Sequence, residues 1–180
     1  MDKYFYKQCI DVEVDHWSLK GDLNVIRKIQ FRYLQPESNA IYLIRKKQYV
    51  AEKTGLVNRI RVRFLEARLM RRYGIHVGDR CKIDIGFKIF HPNSIVFNDV
   101  EIGKNFLVEH NCTIGLKNFD EYGQGRGLPR IGNNVRLMTG SSLFGDITVC
   151  DDVTIGANSV VIRSISEPGV YVGSPARKVK

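Results

Sequence analysis

No apolar run in this 180-residue sequence approaches the roughly 20 residues that cross a bilayer. The opening stretch MDKYFYKQCIDVEVD also has no apolar core of the kind a secretory signal carries, so a cytoplasmic location is expected. Cysteine is sparse. Cys9, Cys81, Cys112 and Cys150 stand apart, without a CxxC pair or histidines at zinc spacing, which excludes a disulfide scaffold and predicts four reduced, small apolar residues. Acid is in deficit as well, with 19 Asp and Glu against 28 Lys and Arg and a formal charge of +9. The remainder, 43% hydrophobic and 26% charged, excludes disordered and collagen-like chains. Length allows one domain, or one domain with a smaller appendage.

The basic excess is unevenly placed. Residues 1–75 hold 16 basic and 8 acidic residues, whereas residues 76–180 hold 12 and 11. Ten of the basic residues fall between Arg45 and Arg72, facing only Glu52 and Glu66. In the same stretch apolar residues recur at mixed three- and four-residue spacings: Ile41, Leu43, Ile44, Tyr49 and Val50, then Val57, Ile60, Val62, Phe64, Leu65, Leu69 and Met70. Two amphipathic helices are predicted, with Pro36 starting the first and Thr54-Gly55 separating them. Their basic surface reads as a solvated face, or as a contact for a membrane surface or polyanion. No nucleic-acid partner is expected, since no helix-turn-helix, zinc module or aromatic ribonucleoprotein motif accompanies the charge.

The second half carries a repeat. An aliphatic residue returns every six positions at Ile131, Leu137, Leu143, Val149, Ile155 and Val161, followed four residues later by Val135, Ser141, Ile147, Val153, Ser159 and Ile165. The same grid fits Val77, Ile83 and Ile89, then Val96, Ile102, Val108 and Ile114, with Phe106 and Cys112 in the second slot. Period six fits neither a helix nor an alternating strand. It suits a triangular coil with one hexad per side, the repeated aliphatics stacking inward, and it is a mark of parallel β-helices. Two interruptions stand out: a one-residue slip between Ile89 and Val96, and the polar, Gly-rich gap LKNFDEYGQGRGLP between Ile114 and Ile131. A loop extruded from a rigid scaffold is a common place for substrate contact.

The hexads with IGKN, IGNN and IGANSVV, closed by YVGSPARKVK, resemble the hexapeptide-repeat, left-handed β-helix acyltransferases over residues 74–180. The resemblance implies a mainly β fold: a left-handed parallel β-helix of about four coils with an extruded loop, in residues 74–180, preceded by a small basic α-helical region in residues 1–73. It also implies an acetyl-CoA-dependent enzyme working as a homotrimer, with the donor in a groove between subunits. The positions matching the family's donor site are Asn133, Thr139, Ala157, Arg163, Arg177 and Lys180. Small residues there let the chain approach the donor closely, and arginine suits phosphate. No metal is expected.

His91, in GFKIFHPNSIVFNDVEIG beside the register slip, resembles the general base of the serine O-acetyltransferase branch. A neutral imidazole takes the proton of a hydroxyl as that oxygen attacks a thioester carbonyl. His110 follows 19 residues later, one coil plus the slipped residue, and is predicted to lie about one strand spacing away, either acting on His91 or forming a ladder with it. His16 has no such context.

The chain departs from the serine enzymes in two places. Where that branch carries an Asp that orients the imidazole, His76 stands here as a third candidate catalytic residue, and its second active-site His corresponds to Leu128. Short basic helices ahead of GIHV look more like the subgroup that acetylates sugars for cell-surface polysaccharides. The expected acceptor is therefore a sugar or glycan hydroxyl, with possible contact at the inner membrane face. Serine O-acetylation is the alternative, and a non-catalytic β-helix scaffold or a β-helix zinc enzyme using His91 and His110 are alternatives of another class.

Overall fold

The computed structural model describes residues 1–15, 33–115 and 129–180. His16, Leu128 and nearly all of the Gly-rich gap lie outside the described residues. Among the described residues three helices come first: α1 (Lys3–Asp15), α2 (Pro36–Ala51) and α3 (Leu56–Tyr73). Pro36 takes the first turn of α2, where its missing N–H costs nothing, and Gly74 ends α3 in the left-handed conformation at φ 62°. The weakly patterned α1 is a helix the sequence does not announce.

Very short strands follow and wind through three parallel sheets. The first sheet stacks β1 (His76–Val77), β4 (Val96–Phe97), β7 (Thr113–Gly115), β10 (Ser142–Phe144) and β13 (Val160–Val161). The second stacks β2 (Lys82–Ile83), β5 (Glu101–Ile102), β8 (Arg130–Ile131) and β11 (Thr148–Val149). In the third, β3 (Lys88–Ile89), β6 (Leu107–Val108), β9 (Arg136–Leu137), β12 (Val153–Ile155) and β14 (Gly169–Gly173) stack in order, and β15 (Ala176–Lys178) folds back antiparallel as the last strand. Parallel pairing with a period of one turn means that every coil presents the same residue type at the same place. Ile89, Val108, Leu137 and Ile155 form one buried inward ladder, and Ile83, Ile102, Ile131 and Val149 another. Second-slot residues such as Val135, Ser141 and Ser159 turn inward at the corners and are fully buried.

One step of the predicted grid is corrected. In the second coil the inward residue is Phe97, pairing with Val77 and Ile114 and fully buried, whereas Val96 pairs with His76 on the outer side. The corner from Phe90 to Ile95 is longer than its counterparts, and the extra length shifts which residue of the Val96-Phe97 pair faces the core. The larger ring packs edge-on against Phe87 and Phe106, at 6.2 and 5.9 Å between centroids.

Corners leave no spare room. A Cβ on Gly132 would lie 2.3 Å from Asp151 Oδ1 and 2.8 Å from the Asp151 backbone nitrogen, so only glycine lets these coils close to strand spacing. Gly132→Ala is expected to cost about 1–3 kcal/mol by overpacking, read as a lower urea midpoint with an unchanged slope. An unchanged midpoint would show that this corner has slack.

The predicted basic face is also corrected, because Arg45 and Lys47 are buried. The first coil of any β-helix has an open edge whose carbonyls lack a preceding coil. Here α2 supplies the missing donors. Lys47 Nζ donates to the Val77 carbonyl, Gln48 Nε2 to Cys81 at 3.1 Å, and Arg45 to Ile83 and Asp84. From α1, Glu13 accepts the Gly86 and Phe87 amides at 3.1 and 3.0 Å and holds Arg45 Nε at 2.8 Å. Burial opposes the charge on Arg45, and the Glu13 carboxylate more than offsets it, leaving the guanidinium above its usual pKa. The apolar core runs without a break from Ile41, Ile44 and Leu69 in the helices into Ile75 and Phe87 of the first coil.

Cys81 belongs to this packing: burial pushes its thiol up to about 12, the behaviour of a small apolar residue rather than a nucleophile. Among the described residues all four cysteines are free thiols.

Candidate active site

Where the chain passes from the third sheet back to the first, the repeat stacks His91, His110, Thr139 and Ala157 in one column. The register of Ile89 with Val108, Val108 with Leu137 and Leu137 with Ile155 sets this alignment. The corners are stitched by Asn111 N–H to Asn93 O (3.0 Å), Gly140 N–H to His110 O (3.1 Å) and Asn158 N–H to Thr139 O (2.9 Å).

Each lower coil turns this corner on a left-handed residue three positions after the inward aliphatic: Asn111, Gly140 and Asn158, with φ 58°, 73° and 55°. In the first coil that position is Pro92, whose ring fixes φ near −65°. The left-handed conformation therefore moves to His91 (φ 55°) and recurs at Ser94 (φ 52°). This is the physical origin of the register slip. It leaves His91 exposed on a backbone that histidine rarely adopts, while Pro92 is buried. Sequence reasoning misses Pro92, although superposing the hexads shows it alone among Asn and Gly.

The two imidazoles lie edge to face, with centroids 5.9 Å apart and planes at 78°. His110 Nδ1 is buried and has no hydrogen-bond partner among the described residues. Its neighbour Glu109, which sequence reasoning also misses, accepts both the Thr139 amide (3.0 Å) and the Thr139 hydroxyl through Oε2. The backbone amide of Thr139 is thus engaged within the protein, and the Glu109 carboxylate is fixed on Thr139, one coil below His110 in the column.

Other predicted site residues lie elsewhere. His76 sits on the outer side of the first sheet with Nδ1 3.3 Å from Glu66 Oε1 of α3. Asn133 stands at another corner, between the second and third sheets, where its side-chain nitrogen donates to Asp151 Oδ2 at 3.0 Å and its Oδ1 accepts the Lys104 amide at 2.8 Å. The side-chain and backbone N–H groups of Asn133 hold the Asp151 carboxyl below its usual pKa, and with the Lys104 bond they staple three coils together. Arg163 and Arg177 line one cavity of about 190 Å³ near the C-terminal end, together with Tyr171 and Lys178. Lys180 is exposed, and its carbonyl accepts the Val170 amide at 2.9 Å. Among the described residues no cluster of three or more His, Cys, Asp or Glu could hold a metal ion.

By fold and repeat this is a hexapeptide-repeat, left-handed parallel β-helix protein of the type built by serine acetyltransferases. It superposes on the crystal structure of Neisseria gonorrhoeae serine acetyltransferase with a TM-score of 0.77 at 19% identity, over 99% of this chain and 67% of that one. In sequence it is 31% identical to a serine acetyltransferase of Staphylococcus xylosus over 138 residues, 77% of this chain and 58% of that protein. It is 35% identical over 106 residues, 58% of this chain and 63% of the relative, to a protein of Escherichia coli K12 named as a colanic acid biosynthesis acetyltransferase, WcaB. The chain thus spans about 60% of the length of these relatives. No protein-family model matches it.

Proposed function

We propose that the chain transfers an acetyl group from acetyl-CoA to a sugar hydroxyl of a cell-surface polysaccharide or its precursor, with His91 as the general base. The observation that carries this reading is the exposed, left-handed His91 stacked on His110 at one corner of a rigid scaffold. His91 takes the acceptor proton as the hydroxyl oxygen attacks the thioester carbonyl. The C–S bond then breaks, the imidazolium returns its proton to the departing sulfur, and an O-acetyl ester and free CoA result without an acyl-enzyme.

The residues fit the donor. Ala157, one coil beyond Thr139, lets a chain-like ligand approach closely, and the cavity between Arg163 and Arg177 offers forked cations to its phosphates. Asn133, with its side chain engaged, contributes through the corner it holds. In this reading the enzyme is a homotrimer, each donor lying between neighbouring subunits. Likeness to WcaB supports a glycan acceptor. His76, paired with Glu66, stands where an orienting Asp is expected in the serine enzymes, which argues against serine.

Acetyl-CoA consumption measured with L-serine and with a panel of nucleotide- and lipid-linked sugars tests this. Turnover with a sugar and background with L-serine is the expected result. Preference for L-serine would move the protein to cysteine biosynthesis, and zinc-dependent turnover or none with any acceptor would overturn acetyl transfer.

A further inference from the structure

Most of the predicted apolar face of α3 does not pack on the core. Val62, Leu65, Leu69 and Tyr73 are the residues it buries, and Leu56, Ile60 and Phe64 stay 67%, 61% and 66% exposed. Their spacing of four places them in one stripe directly opposite the buried side. Arg59 and Arg63 flank this stripe on one side and Arg61, Arg68 and Arg72 on the other, all exposed. Of these five, only Arg63 is in a salt bridge among the described residues, with Glu66 and Asp79. A groove of about 810 Å³ opens along the same flank between α2 and α3. Ile60 and Phe64 line it together with the buried Tyr42 and the partly exposed Tyr49, and Lys46 and Lys53 lie over the two tyrosine rings.

From this arrangement we infer that α3 is the docking face for an anionic lipid surface. It is an apolar stripe with arginines on both sides and the partly exposed Tyr49 at its edge, so phosphates meet the cations while the stripe enters the headgroup boundary. An acidic glycan would use the arginines and leave the stripe in water. A symmetric second copy would set one arginine row against another. Arg45 and Lys47, drawn into the β-helix cap, take no part. This inference is independent of the acceptor proposed above.

Flotation of the full chain with phosphatidylcholine vesicles, with and without phosphatidylglycerol, tests the inference. Binding to the anionic vesicles is expected to be at least about tenfold tighter than to the neutral ones and to weaken as salt is raised. Ile60→Ser with Phe64→Ser is expected to reduce binding at least about tenfold, and Arg61→Gln with Arg68→Gln to abolish the preference for anionic lipid. Both variants are expected to keep the wild-type melting temperature and turnover of a soluble acceptor. Absence of vesicle binding by the wild type, equal binding by the serine variant, retention on an acidic oligosaccharide in place of vesicles, or a smaller oligomer on substituting the stripe would each overturn it.

Discussion

His91→Asn is expected to reduce acetyl transfer by about 10²–10⁴-fold while leaving the melting temperature unchanged. Asparagine is the informative replacement because it tolerates the left-handed backbone that His91 adopts at φ 55° and that Asn111 and Asn158 adopt at the same corner of lower coils. The side chain is exposed, so its loss opens no cavity. The effect should fall on kcat, since the proton moves in the transition state, with little change in KM for acetyl-CoA. His91→Ala should match it in rate and lie slightly lower in stability. His110→Ala should cost less in rate, because it removes the ring packed against the base and leaves the base itself. Initial rates of CoA release at saturating acceptor, with thermal melts of each variant, are the measurements. A His91→Asn enzyme within threefold of wild type would remove His91 as the base.

The parallel coils were legible because their cause is periodic. An aliphatic every six residues can stack in one core only if each side of a triangle takes one hexad, and Ile131 to Val161 hold that register unbroken. The histidine pair was legible for the same reason, as spacing alone set His91 over His110. What the spacing hid was local. Val96 and Phe97 both suit the inward slot, and the choice depends on how many residues the Pro92 corner consumes, a matter of backbone angle. Charge misled further. Arg45 and Lys47 look like their exposed neighbours, and only the open edge of the first coil, a feature of tertiary structure, draws them inside. The apolar pattern of α3 likewise names candidates for a core, and packing then selects Val62, Leu65 and Leu69 while leaving Ile60 and Phe64 outside.

Arg45→Met carries the second large effect, a destabilisation of about 3–5 kcal/mol. The guanidinium is fully buried, and it satisfies at once both carboxylate oxygens of Glu13 and the carbonyls of Ile83 and Asp84. Methionine fills much of the volume and supplies no donor. The cost is then the stranded Glu13 charge plus two edge carbonyls, rather than a cavity. For a chain of this size the shift is about 10 °C in melting temperature. Glu13→Gln in the Arg45→Met background separates these terms. Neutralising the carboxylate should recover part of the loss, because the side-chain amide oxygen that Glu13→Gln leaves in place can still accept from the Gly86 and Phe87 amides, while the unsatisfied carbonyls of Ile83 and Asp84 keep the remainder. A double variant as unstable as the single one would assign the whole effect to the coil edge. A single variant within about 1 kcal/mol of wild type in urea, well under the cost of breaking a buried ion pair, would show that the first coil does not need α2 to close it. Because α2 also positions α3, loss of this contact should weaken vesicle binding alongside stability. The corner bearing His91, held by its own hydrogen bond to the Asn111 corner, should keep its turnover at temperatures below the new melting point.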